Sequence, residues 1–134
     1  MPSAPKDLLL AAKNVLNQAY APYSNFPVAA AIRAKNGEIF ACCNVENAAF
    51  PLGVCAEGGA ISSMVASGQR EIIEALVLVN DKKICSPCGA CRQRLIEFAA
   101  TDIPVHLCTE DGQYQQYTLH ELLPAAFGPN NLES

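Results

Sequence analysis

The sequence predicts an α/β fold, a five-stranded mixed sheet covered by helices. Three observations carry this. Apolar residues recur at helical spacing near the N-terminus. Asn36-Gly37 marks a tight hairpin between two strand-like segments. Later helical segments alternate with strand segments. The first helix is expected from about Pro5 to Tyr20, because Leu8, Ala12, Val15, Leu16 and Ala19 fall on one face. Pro5 suits its first turn, and Ala21-Pro22-Tyr23-Ser24-Asn25 breaks it. Phe26 to Arg33 and Glu38 to Cys43 read as the two strands of the hairpin. Asn44 to Val54, with Pro51 and Gly53, reads as a loop, and a second helix is expected from near Cys55 to just before Gly68. Ile73 to Val79 is a continuous apolar run, the pattern of a strand buried on both faces. Ser86 is the expected N-cap and Pro87 the first residue of a third helix, which runs to about Ala99. Pro104 to Thr109 and Gln113 to Leu119 are two more strands around Asp111-Gly112. A short tail helix follows, then a loop at Phe127-Gly128-Pro129-Asn130-Asn131.

Composition narrows the function classes. The chain has 134 residues, enough for one domain and one hydrophobic core, expected to span 1–134. Half the residues are apolar (51%) and only 16% are charged, which argues against a disordered chain. The apolar runs are short and interrupted, so no membrane span is expected. The segment Met1-Pro2-Ser3-Ala4-Pro5-Lys6-Asp7 has no charged stretch leading into an apolar core, so no secretory leader is expected. Net charge is -4 and Lys82-Lys83 is an isolated basic pair, so a nucleic-acid partner is not expected. Tyr20, Tyr23, Tyr114 and Tyr117 are not interleaved with basic residues, which removes the usual stacking platform for single strands.

Seven cysteines without a leader point to a reducing compartment, the cytoplasm, and the odd count argues against a closed disulfide framework. The expectation is three metal ligands and four buried thiols, Cys42, Cys43, Cys85 and Cys108. Cys55-Ala56-Glu57 and Pro87-Cys88-Gly89-Ala90-Cys91 are the stretches that carry chemistry. Three cysteines can hold one zinc ion and leave a position for water, while a nearby glutamate gives that water a base. Cys88 and Cys91, three apart on a helix, share a face. Cys55 opens a different helix, so two helix N-termini would point at one metal and favour thiolate. Glu57, in the first turn, leans the same way as Cys55. From spacing alone, a zinc site and buried structural thiols both remain open. Cys85 also precedes Cys88 by the interval that separates Cys88 from Cys91. His106, inside a strand pattern, and His120, at the start of the tail helix, read as packed or surface side chains rather than ligands.

Five stretches, in order and at matching spacing, resemble the cytidine deaminases. They are Tyr23-Ser24-Asn25-Phe26-Pro27-Val28, Asn44-Val45-Glu46-Asn47-Ala48, Pro51-Leu52-Gly53-Val54-Cys55-Ala56-Glu57, Ser86-Pro87-Cys88-Gly89-Ala90-Cys91-Arg92-Gln93 and Glu121-Leu122-Leu123-Pro124. The likeness is to the small, homotetrameric branch with three cysteine ligands, and it runs from about Ala12 to Gly128. It implies a three-layer α-β-α fold. It also implies Zn2+ held by Cys55, Cys88 and Cys91, with Cys85 excluded. The implied activity is hydrolytic deamination of cytidine and 2′-deoxycytidine by a zinc-activated water in pyrimidine salvage, with Glu57 shuttling protons. Asn44 and Glu46 resemble the family's sugar-binding pair, and an amide and a carboxylate suit ribose hydroxyls. Phe26 resembles the aromatic that packs on the pyrimidine. The backbone at Ala56 and Ser86 is implied to bind its polar edge. Phe127 resembles a tail aromatic that reaches a neighbouring subunit's site.

The match breaks at Gly58-Gly59, where the family branch usually has Arg-Thr. Three thiolates on one zinc ion leave a net negative charge, which weakens the metal as a Lewis acid. The usual arginine offsets that charge and Gly58 cannot. Arg92, beside Cys91, is the expected substitute, so Arg92→Ala is expected to cut turnover sharply. Ala29 is a smaller departure, where the family often has glycine. Two other readings stand beside the leading one: a deaminase of another aminated pyrimidine nucleoside, and a zinc module whose metal only organises the fold. Glu57→Gln separates the catalytic readings from the structural one.

Overall fold

The computed structural model describes residues 3–132, so Met1 and Pro2 at the start of the expected domain and Glu133 and Ser134 at its end lie outside the described residues. Helix α1 spans Lys6–Leu16, strands β1 and β2 span Val28–Ala34 and Ile39–Cys43, and α2 spans Ala56–Ala66. Strand β3 (Ile72–Val79), helix α3 (Gly89–Phe98), strands β4 (Pro104–Thr109) and β5 (Tyr114–Thr118), and the short helix α4 (Leu119–Leu122) complete the order.

One sheet takes the order β2-β1-β3-β4-β5. β3 and β4 run parallel and the other pairs antiparallel, so the sheet is mixed as expected. The parallel pair needs a crossover, and α3 supplies it. Alternation along the strands sends side chains to two cores. Leu8, Ala12 and Leu16 of α1 pack on Ala29, Ala31, Leu76 and Leu78. On the opposite face Ala60, Ile61 and Met64 of α2 and Leu95 and Ile96 of α3 pack on Ile32, Val77, Val105 and Leu107. Three layers result. Full burial of a side chain such as Leu8 or Leu95 contributes about 1.5–3 kcal/mol.

The local differences have local causes. α1 stops at Leu16, short of Tyr20, because Tyr20 is taken by a bridge to Val45, with its N–H on Asn44 O at 3.0 Å. β1 begins at Val28, after Pro27, which has no N–H for the ladder. The loop from Asn44 contains a 3-10 turn at Phe50–Leu52 and is pinned by the Val45–Val54 bridge. β3 is buried on both faces only from Ala75 onward, and Ile73 is exposed. β5 is shorter than Gln113–Leu119, because Gln113 belongs to the turn from Thr109 and Leu119 opens α4. The tail loop carries a 3-10 turn at Pro129–Leu132. Cys108 is buried as expected, but Cys42, Cys43 and Cys85 are only half-buried. Cys42 and Cys43 lie on β2, an edge strand that pairs with β1 alone, and Cys85 lies in the connection before α3. Among the described residues no helix is long and apolar enough to cross a membrane.

Candidate active site

The site forms where β1 begins and β3 ends, since Val28 pairs with Val79. The N-termini of α2 and α3 meet there. Cys55 is the N-cap of α2, with extended backbone (φ -74, ψ 152), and its carbonyl accepts from Gly59 N–H at 3.2 Å. Ser86 was the expected cap of α3, but Cys88 takes that place (φ -65, ψ 166), and its carbonyl accepts from Arg92 N–H at 3.0 Å. The Ser86 hydroxyl is otherwise engaged, accepting from Arg92 Nη2 at 2.9 Å. Cys88 and Cys91 are therefore neighbours as cap and third helical residue, a pair that meets as readily as two helical residues three apart.

The sulfurs of Cys55, Cys88 and Cys91 all lie within 4.8 Å of one another. Tetrahedral zinc with bonds of about 2.3 Å separates its sulfurs by about 3.8 Å. The three positions therefore accept a zinc ion with small adjustments, and soft sulfur donors select such a metal. The electrostatics agree. Burial pushes the Cys55 thiol up, and the Cys88 thiolate and Glu57 add to it. Cys91 is pushed up further, by burial first and then by Glu57 and the other two sulfurs. Burial also raises Cys88, but the N–H groups of Cys91 and Ala90 at the helix start outweigh it and hold that thiol low. Three anions this close repel one another, and a divalent cation at their centre removes the conflict.

Glu57 is in the first turn of α2 and only 5% exposed. Burial raises its proton affinity above the usual carboxylate value, against its own backbone N–H, Cys91 and the Arg94 cation. It lines a cavity of about 190 Å³ with Cys55, Cys88 and Cys91. Phe26, Asn44, Ala56 and Ser86 line the same cavity. Asn44 also has a positioning task. Its Oδ1 accepts from Val28 N–H at 2.9 Å and its Nδ2 donates to Phe26 O at 3.0 Å, so it clamps the segment that carries Phe26. Glu46 does not line this cavity but a depression of about 390 Å³ with Tyr23, Ser24 and Phe50, and the Ser24 hydroxyl that it holds accepts from Phe26 N–H at 3.1 Å. Its carboxylate accepts from the N–H groups of Tyr23 and Ser24 at 2.9 and 3.2 Å, and from the Ser24 hydroxyl. Those bonds, the hydroxyl's first, hold Glu46 below the usual carboxylate range against the effect of burial.

The comparisons with known proteins agree with this geometry. Residues 2–107 match the model of the cytidine and deoxycytidylate deaminase zinc-binding region. A cytidine deaminase of Sporosarcina psychrophila is 40% identical over 125 residues, 93% of this chain and 92% of that protein. One from Mycoplasma genitalium is 44% identical over 114 residues, 84% of this chain and 87% of the other. The crystal structure of cytidine deaminase from Burkholderia pseudomallei superposes with a TM-score of 0.87 at 40% identity, covering 92% of this chain and 99% of that one. The chain belongs to the cytidine and deoxycytidylate deaminase family. The enzyme class is thereby a zinc-dependent deaminase, and the three-layer fold is the deaminase fold.

One expectation about the deaminase site is revised. Arg92 does not place its charge on the thiolates. Its Nε donates to Pro87 O at 2.8 Å, its Nη1 to Leu122 O at 2.6 Å and its Nη2 to Ser86 Oγ. It braces the connection before α3. The guanidinium at the sulfurs is that of Arg94, whose Nη1 donates to Cys91 Sγ at 3.5 Å. Helix phase was the signal for it: Arg94 is three residues from Cys91 and shares its face, while adjacent residues diverge. Phe127 is outside the cavity of its own chain, exposed on a groove beside Gln93, which donates to Phe127 O at 2.7 Å. His106 is buried between Glu74 and Tyr114, and His120 is exposed, so neither approaches the sulfurs.

Proposed function

We propose that this chain, as a single deaminase domain over 1–134, hydrolyses cytidine and 2′-deoxycytidine to uridine and 2′-deoxyuridine plus ammonia, in cytoplasmic pyrimidine salvage. The observation that carries this reading is one cavity lined by a three-sulfur cluster, a buried carboxyl and an aromatic ring. A zinc ion held by Cys55, Cys88 and Cys91 would supply an electrophile that makes water a nucleophile at neutral pH. Glu57 takes the proton of the attacking water and gives it to N3 of the pyrimidine. The oxygen ends on C4, and Glu57 then takes the second proton, from the new C4 hydroxyl, and hands it to the amino group, which leaves as ammonia while C4 becomes a carbonyl. A buried carboxyl with raised proton affinity suits this two-way traffic.

The remaining residues bind and orient. Phe26 packs against the ring face. The backbone at Ala56 and Ser86 meets the polar edge. Asn44 has one amide hydrogen beyond its bond to Phe26, and Glu46 keeps carboxylate lone pairs, for ribose hydroxyls. In this reading a homotetramer places Phe127 at a neighbour's site, which accounts for its exposure here.

The test is the ultraviolet change as purified protein converts cytidine to uridine, with zinc measured in the same sample. Glu57→Gln should keep fold and zinc and lose about 10²–10⁴-fold in turnover. Zinc-loaded protein that leaves cytidine unchanged overturns the substrate assignment. A Glu57→Gln enzyme as active as the parent overturns the role given to Glu57.

A further inference from the structure

Gly58 and Gly59 are adjacent in α2, yet they are glycine for different reasons. A Cβ built at Gly59 would lie 2.5 Å from Cys42 Sγ and 3.0 Å from Cys42 Cβ, so with α2 packed on β2 any side chain there requires Cys42 to shift. A Cβ at Gly58 would meet nothing closer than Arg94 Nε at 3.7 Å, Arg94 Cδ at 3.8 Å and Val54 Cγ1 at 3.9 Å, which is ordinary contact. Its backbone is not among those with positive φ. Neither sterics nor backbone demands a glycine at position 58. What the position lacks is a longer side chain, and the stem of Arg94 lies across that space.

Arg94 comes from α3, one turn after Cys91, and crosses to α2 with its Nη1 on Cys91 Sγ at 3.5 Å. Arg92, the other arginine of that turn, spends its guanidinium on two carbonyls and a hydroxyl. Three thiolates around a divalent cation carry one net negative charge, and a donor on a ligand sulfur draws electron density from it. We propose that Arg94 is the positioning residue that carries the counter-charge of the three-cysteine centre, and that Gly58 keeps open the lane it occupies. The charge comes from α3 instead of α2, with the same sulfur cluster as its target. This rests on the zinc-deaminase reading above.

The experiment uses the purified full-length protein, with zinc affinity measured by competition against EDTA at neutral pH and with kcat and KM for cytidine. Three thiolates around a divalent cation carry one net negative charge, so a cation held at the sulfurs favours the loaded centre. Arg94→Gln should therefore weaken zinc binding about tenfold and lower kcat about tenfold, while KM stays within about twofold. Arg94→Lys should recover most of both losses. The double variant Gly58→Arg/Arg94→Gln should recover them too, because an arginine from α2 enters the same lane. An Arg94→Gln protein with parental zinc affinity and kcat overturns the proposal. So does failure of both charged replacements to restore an impaired Arg94→Gln protein. A parent protein that binds no zinc overturns the zinc-deaminase reading and this proposal together. A parent with zinc and turnover, beside an indifferent Arg94→Gln, overturns this proposal alone.

Discussion

Adjacent residues in this chain face different physical constraints, and the glycine pair makes that measurable. Ala at position 59 brings a methyl into Cys42 at a separation that real side chains avoid. Overpacking of this kind costs about 1–3 kcal/mol, only partly offset by the roughly 1 kcal/mol that alanine gains over glycine in a helix. Gly59→Ala is expected to lower the thermal midpoint. Cys42→Ala in the same chain should restore part of it, by removing the sulfur and leaving the Cβ contact. Gly58→Ala meets only ordinary contacts and should leave the midpoint unchanged or raise it. Equal effects at the two positions would show that packing against Cys42 does not distinguish them. At the same scale, burial sets Glu57 apart from Glu46. One carboxyl is enclosed and holds its proton more tightly, while the other accepts three hydrogen bonds and ionises more readily.

Elements matter here through their ends. Cys55 and Cys88 cap two helix N-termini and Cys91 lies in the first turn of the second, so the sulfur cluster sits where unpaired N–H groups and the helix dipole favour negative charge. α4 holds the second end in place. Thr118 and Glu121 form a capping box that fixes this four-residue helix, and Leu122 O then receives Arg92 Nη1. Arg92 thus ties α4 to Pro87 and Ser86, immediately before the cap of α3. Arg92→Ala should lower kcat/KM about tenfold by loosening that connection. Arg92→Lys should recover little, because one ammonium cannot reproduce a three-point fork. This is the opposite of the pattern expected at Arg94, where charge matters more than shape. Full recovery in Arg92→Lys would reassign Arg92 to a purely electrostatic role.

At the scale of the whole molecule, the surface near the site is unusually apolar. Phe50 and Leu52 are 76% and 67% exposed, with Tyr20, Tyr23, Val45 and Val54 around them. Exposed apolar patches are the surfaces that interfaces most often use. In the proposed homotetramer it is a contact between copies, and native mass measured by light scattering should correspond to four chains of 14.3 kDa. Phe50→Asp should give smaller species. Because Phe127 does not line the cavity of its own chain, dissociation should raise KM as well. A parent that runs as a monomer with full activity would rule out the assembly and the role given to Phe127.

Much of the fold was legible because its signals are local. Helical spacing, the Asn36-Gly37 turn and the apolar run before Asn80 depend on neighbours in the chain, and each produced the element expected, within a few residues at its ends. Spacing alone left the sulfur cluster undecided between Cys85 and Cys91; the resemblance carried by five ordered motifs pointed to Cys55, Cys88 and Cys91, and the structure brings those three sulfurs together. Other features depended on contacts between distant segments. Tyr20 left α1 to bridge Val45, the half-burial of Cys42 and Cys43 follows from an edge strand, and Asn44 turned out to hold Phe26 in place. The counter-charge is the sharpest case. Sequence adjacency favoured Arg92, while the helix turned Arg94 toward the sulfurs and Gly58 left room for it. The sequence by itself determined most of the elements, because hydrophobic period is a property of short stretches, and the resemblance of its motifs singled out Cys55, Cys88 and Cys91 where spacing alone left Cys85 open. Which cation meets the sulfurs was decided only in the tertiary structure, because it depends on helix phase and on space left by a different helix.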